Sequence, residues 1–251
     1  MAKQDRSVRT RRRVLEAAAE VFDREGYRAT TVNEIAAAAG MTKGAVYFHF
    51  SGKEELAQVI LDEQQRGAEE ALLPQAVKLQ EIVDSGLVLA ERLHTDGLVR
   101  ASVRLSLDQQ AGELDRSSPF RTWTEVNLAI LQEAGRRGEL LAHVDLAATA
   151  ELFVGSFAGL QHMSQVLSGY ADLPRRISVL LRTVLPSIAV PPVLGKLDLC
   201  AERGAHLIAE AEARAAAAAA PTPAGAPADT PADASGDAPA AAGKSPAPGE
   251  R

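Results

Sequence analysis

The chain has 251 residues, of which 46% are hydrophobic, enough for a sizeable core in one large or two modest domains. A single cysteine, Cys200, excludes an internal disulfide, and no uninterrupted apolar segment indicates a targeting signal or membrane span, so we expect a cytoplasmic protein. The net charge of -6 is uneven, because residues 1–53 carry ten Lys and Arg against six Asp and Glu. Only this N-terminal part is therefore suited to a polyanionic partner.

The N-terminal residues form a basic arm that leads into an amphipathic helix. Residues 1–13 contain six Lys and Arg, and Val14, Val21 and Phe22 follow at helical spacing before Gly26 ends the helix. Such an arm is either simply solvated or contacts phosphates, and the segment that follows it favours phosphate contact.

Residues 31–56, TVNEIAAAAGMTKGAVYFHFSGKEEL, contain two short helices separated by a glycine turn. Thr31 and Glu34 stand at capping-box spacing at the start of the first helix, and Gly40 suits the left-handed turn after it. Thr42 can cap the second helix. Helix, tight turn and helix in this order predict a DNA-binding helix-turn-helix.

A third helix is expected to begin directly after the second, because Ser51 and Glu54 repeat the capping-box spacing. Beyond it, apolar residues recur at helical spacing between Pro and Gly breaks, and no strand alternation occurs. The sequence therefore predicts an all-α protein of about nine or ten helices.

Three later stretches carry further expectations. Residues 152–160 are apolar nearly all round, which predicts a central helix, and Gly155 and Gly159 permit a second helix to approach closely, either in the same subunit or across a dimer. A last helix is expected over 193–208. Residues 214–251 lack large apolar side chains and predict a disordered Ala/Pro-rich tail.

The segment TKGAVYFHF, followed by Lys53 and Leu56, closely resembles the N-terminal signature of TetR-type transcriptional repressors. The resemblance implies an all-α, TetR-like fold. It places a three-helix helix-turn-helix DNA-binding domain at residues 1–52 and a larger helical ligand-binding and dimerisation domain at residues 53–213, before the tail at 214–251.

Within that family, the chain is similar to the γ-butyrolactone autoregulator receptors that control antibiotic production in filamentous actinobacteria. The similar stretches are MAKQDRSVRTRRRVLEAA, AVYFHFSGKEELA, VRLSLDQQ, SSPFRTW and VPPVLGKLDLCAERGA. This likeness implies a homodimer that represses a pseudo-palindromic operator until a small lipophilic ligand of the γ-butyrolactone type releases it. Pseudo-receptors that respond to antibiotics or furans, multidrug-sensing repressors and a constitutive repressor without ligand are the alternatives.

The residues expected to contact double-stranded operator DNA lie in and around the second short helix. Lys43 is expected to read a base, namely guanine, while Gly44 and Ala45 let the helix backbone approach the bases by their small size. Phe48 and Phe50 are assigned to the core. The resemblance implies phosphate contacts at Thr31, Thr42, Tyr47, His49 and Lys53; taken alone, Tyr47 could equally be a packing residue and His49 a buried structural one.

Trp123 is the only tryptophan, and the resemblance implies that it lines the ligand pocket, whereas taken alone it would be assigned to core packing. A flat apolar ring suits a lactone with an alkyl chain, and Gln161 could bind its oxygen end. The helix that begins at Ser51 is expected to act as a lever between the ligand pocket and the helix-turn-helix domain at residues 1–52, which we call the reader. The proposed companions of Trp123 are Leu87, Leu107, Phe153 and Phe157.

An enzyme is disfavoured, because the sequence contains no G-x-S-x-G, G-x-G-x-x-G or P-loop motif. Its five histidines are not clustered with cysteines or carboxylates at metal-ligand spacing. We therefore expect neither a metal nor a cofactor.

Overall fold

This computed structural model describes residues 2–71, 73–108 and 114–219, except for the side chains of 2–5, 63–71 and 219. Over these residues the chain is all-helical apart from an isolated antiparallel bridge between Leu140 and Ala189. The helices are α1 (Ala2–Glu25), α2 (Val32–Ala38), α3 (Lys43–His49), α4 (Lys53–Ala71), α5 (Leu79–Thr95), α6 (Gly97–Leu107), α7 (Ser118–Arg136), α8 (Leu146–Ser168), α9 (Leu173–Val184), α10 (Pro191–Leu194) and α11 (Arg203–Ala219), with a 3-10 turn at Leu185–Ser187.

The helix boundaries in the N-terminal third follow local sequence signals. Thr31 and Glu34 form the predicted reciprocal capping box, Gly40 turns the chain at a φ of 64°, and the Thr42 hydroxyl caps α3 by accepting from Ala45 N. These expectations are confirmed. Together they fix the angle at which α3 leaves α2.

The start of α4 departs from the predicted cap. Ser51 N and Oγ both donate to Glu55 Oε2, at 2.6 and 2.7 Å, instead of to Glu54. The reason is that α4 begins at Lys53, two residues beyond Ser51, which places Glu55 at the third helical position. These hydrogen bonds hold the pKa of the Glu55 carboxyl below its usual value.

The first hydrophobic core joins the reader helices to α4 and α6. Phe22, Ile35 and Phe50 are almost completely buried in it, and Leu98 and Leu105 of α6 complete it. Burial of large apolar side chains from both regions contributes about 1.5 to 3 kcal/mol each to stability. The reader is therefore not packed independently of the helices that follow it.

A second core lies among α5, α7, α8 and α9. Its fully buried members include Leu79, Leu87, Leu131 and Leu173.

α11 is attached to α5 by Arg203, whose guanidinium donates to both carboxylate oxygens of Asp84 at 2.5 and 2.9 Å.

α8 is not the central helix that its composition predicts. Its N-terminal cap on Asp145 forms as expected, and Phe153 faces the core. Leu152, Val166 and Leu167, however, are largely exposed. The prediction of a central helix is therefore wrong for the single chain, because an apolar periphery can face either a core or a second protein.

The two ends of the chain also differ from the expectations. The basic arm is helical, because α1 begins at Ala2, and α11 continues to Ala219, beyond the expected domain boundary at 213. The predicted last helix over 193–208 is divided into α10 and α11. The expected disordered tail covers residues 214–251, and its part from residue 220 onwards lies outside the described residues.

No helix within the described ranges is long and apolar enough to cross a membrane. Cys200 is exposed, and its Sγ lies 2.6 Å from Glu202 Oε2.

Candidate functional site

α3 presents one face to the core and the opposite face to solvent. Val46 is completely buried, whereas Lys43, Gly44 and Tyr47 are exposed and Ala45 is half-buried. The first amide groups of α3 point along the helix axis, with the Thr42 hydroxyl satisfying one of them. A helix held by a single buried valine leaves most of its circumference open, as a major-groove helix requires.

The expected phosphate-contacting threonines both cap helices. Thr31 N and Oγ1 donate to Glu34 Oε2 at 2.7 and 2.8 Å, and Thr31 Oγ1 accepts from Glu34 N at 3.3 Å. These hydrogen bonds hold the pKa of the Glu34 carboxyl below its usual value. Thr31 and Thr42 are exposed at helix N-termini, where partial positive charge favours a phosphate.

The exposure of Tyr47 bears on its alternative assignment as a packing residue. The side chain is 47% exposed, and Lys43 Nζ lies 5.8 Å from its ring centroid, so the two share a face of α3. His49 is half-buried and meets the Phe48 ring edge-on, with the centroids 5.1 Å apart. Neither residue is enclosed by the core.

Phe48 corrects the sequence-based assignment. Phe50 is buried as predicted, beneath the Arg11 guanidinium 4.7 Å from its ring centroid, but Phe48 is 82% exposed. The prediction of a core Phe48 is wrong because α3 turns by about 100° per residue and directs residue 48 away from Val46.

Lys53 is held by the loop between α1 and α2. Its Nζ donates to the carbonyl oxygen of Tyr27 at 2.9 Å and to that of Arg28 at 3.5 Å, and lies 4.4 Å from the Tyr27 ring centroid. The ammonium group therefore fixes the start of α4 against the reader. Phosphate contact by Lys53 stays a prediction.

A small cavity of about 70 Å³ lies between helices α5 to α9. Four of the six predicted ligand-contacting residues line it: Trp123, Phe153, Phe157 and Gln161. The remaining lining residues are Ile82, Ser85, Gly86, Leu89, Ser106, Pro119, Phe120, Asn127, Val154, Ala158, Ile177, Leu180 and Leu181.

Two predicted pocket residues lie elsewhere. Leu87 is buried in the second core but does not line the cavity, because it lies on roughly the opposite side of α5 from Ile82 and Leu89. Leu107, at the end of α6, is 41% exposed and does not line the cavity, although the adjacent Ser106 does. The angular positions of these two residues around their helices keep both side chains out of the cavity. A sequence-based helix boundary that is wrong by one or two residues hides this difference.

The cavity contains polar groups whose hydrogen-bonding capacity is unused. Trp123 Nε1 is buried and finds no acceptor among the described residues. The side-chain amides of Asn127 and Gln161 are nearly buried, and neither bonds to another described side chain or backbone group. Ser85 and Ser106, in contrast, donate to carbonyls in their own helices.

Asn127 was missed by the sequence-based interpretation, although a signal was present. It stands four residues after Trp123, just as Gln161 stands four residues after Phe157, so each amide shares a helix face with an aromatic ring. This spacing predicts that ring and amide border the same space.

A larger cleft of about 1110 Å³ lies between α1, the α5–α6 turn and α11. Its walls carry charged side chains, among them Arg12, Glu20, Arg92, Arg100 and Glu212. Despite its size, this lining disfavours a lipophilic ligand, and the mostly apolar cavity beside Trp123 suits one better.

Comparison with known proteins identifies the family. Residues 14–60 match "Bacterial regulatory proteins, tetR family", and residues 78–191 match "Tetracyclin repressor-like, C-terminal domain". The chain is also 37% identical to the A-factor receptor protein of Streptomyces griseus over 227 residues, which cover 84% of this chain and 81% of that protein. The chain belongs to the TetR family.

Solved structures agree with this TetR-family assignment. Full-length TylP, a TetR regulator from Streptomyces fradiae, is 44% identical with a TM-score of 0.76, covering 82% of this chain and 99% of that one. A γ-butyrolactone receptor described as ArpA-like is 27% identical with a TM-score of 0.60, covering 83% and 98%.

The chain is thus a TetR-type transcriptional repressor and not an enzyme. Within the described residues, no cluster of three or more His, Cys, Asp or Glu side chains could hold a metal ion. Its two candidate sites are the exposed face of α3 and the cavity beside Trp123.

Proposed function

We propose that this TetR-type repressor binds a pseudo-palindromic operator as a homodimer in the cytoplasm and is released by a γ-butyrolactone-type signal, thereby controlling antibiotic or other secondary-metabolite genes. The observation that carries the proposal is the buried indole N–H of Trp123, which has no acceptor among the described residues, at a cavity lined mostly by aromatic and aliphatic side chains. The similarity to the A-factor receptor protein and to γ-butyrolactone receptors supports this ligand class.

The lining of the cavity suits a lactone with an alkyl chain. Phe153, Phe157 and Leu181 offer apolar surface for the alkyl chain. The N–H of Trp123 and the amides of Asn127 and Gln161 can donate to the ring and carbonyl oxygens of the lactone. A bound lactone would thus provide an acceptor for the buried N–H of Trp123.

The size of the cavity implies that ligand binding moves the surrounding helices. Its volume of about 70 Å³ is far below the roughly 300 to 1,000 Å³ of ordinary small-molecule sites. We infer that α5 to α9 separate to admit an alkyl lactone. The ligand favours this expanded conformer because it binds there and cannot bind the contracted one.

α6 provides a direct route from the cavity to the reader. Ser106 of α6 lines the cavity, and two residues later Asp108 Oδ2 accepts a hydrogen bond from Tyr27 N at 3.2 Å. Ser102 Oγ of the same helix donates to the Leu61 carbonyl oxygen of α4 at 3.2 Å. We infer that α6 and α4 move together when the cavity expands, so α4 alone is not the lever.

The exposed side of α8 is the proposed dimer surface. Leu152, Met163 and Val166 lie on one side of this helix together with Gly155 and Gly159. A methyl group placed on either glycine would meet no described atom within 4 Å, so the surface is open. A second copy of α8 could approach closely there and bury the stripe in a two-fold interface.

Such a dimer would present two copies of α3 to successive major grooves. Half-sites one helical turn or a multiple apart, at about 34–36 Å per turn, require a fixed distance between the two readers. Ligand-induced movement of α6 and α4 would change that distance and release the operator.

The proposal is tested by measuring release of the promoter of the protein's own gene. Binding of the full chain to this fragment is followed by fluorescence anisotropy, and a synthetic γ-butyrolactone with an alkyl side chain is added. The matched control is its ring-opened hydroxy acid. Release of the DNA by the lactone but not by the hydroxy acid supports the proposal.

Other responses identify the alternatives. Release by an antibiotic or a furan but not by the lactone indicates a pseudo-receptor, and release by many unrelated compounds indicates a multidrug-sensing repressor. A complex that persists with every compound indicates a constitutive repressor.

A further inference from the structure

Phe48 occupies the outermost position of the recognition helix. With about 100° between successive residues, Gly44 and Phe48 flank the direction opposite to the buried Val46. Lys43 and Tyr47 lie to one side of this direction. A helix that enters a groove with its solvent face first therefore brings Gly44 and Phe48 nearest to the bases.

The surroundings of Phe48 hold its ring in an open, defined position. Gly44 lies one helical turn before Phe48 on the same exposed side of α3. A methyl group at Gly44 would meet nothing within 4 Å, so this side is free for a partner. On the other side, the His49 ring packs against Phe48 with an interplanar angle of 89°.

A phenyl ring that is 82% exposed contributes little to folding, since most of its surface remains in water. In the major groove it has one apolar partner of matching chemistry, because thymine carries a C5-methyl group there while the other base edges present donors and acceptors. The ammonium of Lys43 is nearby on the same helix and suits the guanine acceptors.

We propose that Phe48 is a specificity-determining residue that packs against the C5-methyl group of a thymine in each operator half-site. The inference rests on the proposed function only in requiring that α3 enters the major groove. Lys43 and Phe48 then read two different base pairs, one by hydrogen bonding and the other by apolar contact.

The first experiment selects binding sites for the full chain from random double-stranded DNA, in parallel for the wild type, Phe48→Ala and Phe48→Leu. The wild type is expected to select a palindrome with a thymine at one position of each half. Phe48→Ala should select the same palindrome without that preference, and Phe48→Leu should retain part of it. An unchanged thymine preference in Phe48→Ala overturns the proposal.

The second experiment removes the methyl group alone. Deoxyuridine replaces the selected thymine in one half-site, and affinity is measured by fluorescence anisotropy. The wild type should bind about fourfold more weakly, the contribution of one buried methyl group, and roughly fifteenfold more weakly with both halves substituted. Phe48→Ala should bind both DNAs equally, and equal binding by the wild type would contradict the proposal.

Two controls distinguish failure of the proposed role of Phe48 from failure of DNA recognition by α3. Circular dichroism and thermal unfolding should be unchanged in Phe48→Ala, since the side chain is exposed. If the wild type selects no common sequence, DNA recognition by α3 itself fails. If it selects a palindrome whose thymine preference does not depend on residue 48, only the role of Phe48 fails.

Discussion

Lys53 Nζ lies 2.9 Å from the carbonyl oxygen of Tyr27, which joins the first residue of α4 to the loop before α2. An ammonium group has three donors, so this bond leaves Lys53 able to contact a phosphate as well. Lys53 can thus both attach α4 to the loop between α1 and α2 and provide a positive charge for DNA binding.

Lys53→Ala is expected to weaken binding to all operator sequences by a similar factor, because neither the tie nor a phosphate contact depends on base identity. If Lys53 neutralises one phosphate, the slope of log affinity against log salt should also fall by about 0.9. Anisotropy titrations at several salt concentrations measure both effects. Lys196→Ala is the matched control, since Lys196 is exposed outside the reader; a change in base preference with Lys53→Ala would contradict this assignment.

Lys43→Ala is expected to lose about 1 to 3 kcal/mol of discrimination at one operator position, because its ammonium is placed to bind guanine acceptors. Titrations against operators with single base-pair changes measure the loss. The result would count against this role if the variant kept the wild-type ranking of those operators.

The local signals of the reader could be predicted from sequence, whereas its exposure could not. The capping box of Thr31 and the left-handed turn at Gly40 depend on residues within four positions of each other. Whether Phe48 is buried depends on the direction it takes from α3 and on what packs there. Composition cannot distinguish an apolar side chain that is buried in the core from one that is exposed and available to a partner.

The same limit applies to the rest of the chain. Residues 152–160 are apolar on most sides, but whether that surface is covered depends on a partner that the single chain does not contain. Both Trp123, expected from the family resemblance, and Gln161, expected as a polar partner for the lactone oxygens, line the cavity, while their contact with a ligand stays a prediction. Leu87 was misplaced because one residue shifts a side chain by about 100° around a helix.

Trp123→Ala is expected to leave operator binding intact but abolish release by the lactone, because the ring lines the cavity and packs against a different core from α3. Trp123→Phe separates the two contributions of the side chain. It retains an aromatic surface but lacks the N–H, so release should require a higher ligand concentration. Isothermal titration with the lactone measures the affinities, and loss of operator binding in Trp123→Ala would instead favour a core-packing role.

Val166→Asp is expected to produce a monomer that no longer binds a two-half-site operator, since it places a charge within the proposed dimer surface of α8. Analytical ultracentrifugation measures the mass. Leu107→Gln, another exposed apolar position but on α6, is the control and should remain dimeric. A dimer that tolerates Val166→Asp would place the interface elsewhere.

Tyr170 is expected to make stability depend on alkaline pH. Burial raises the pKa of its phenol to about 12, and the charge of Asp23 adds to this. Its stabilising contribution is therefore complete below about pH 10 and is lost as the pH rises from about 10 to about 12, because only the unfolded chain ionises readily there. Tyr170→Phe should show a smaller decrease in unfolding free energy over this range, measured by urea titration. An equal decrease in both proteins would argue against the assignment.

α6 belongs at once to the core of the reader, through Leu98 and Leu105, and to the wall of the cavity, through Ser106. A fragment cut after residue 52 would expose the apolar surface that α6 covers and would lack a stable interior. Chimeric sensors that exchange only the first three helices between relatives would inherit a mismatched interior surface. The transferable unit for engineering new operator specificity therefore includes α4 and α6 as well as the helix-turn-helix.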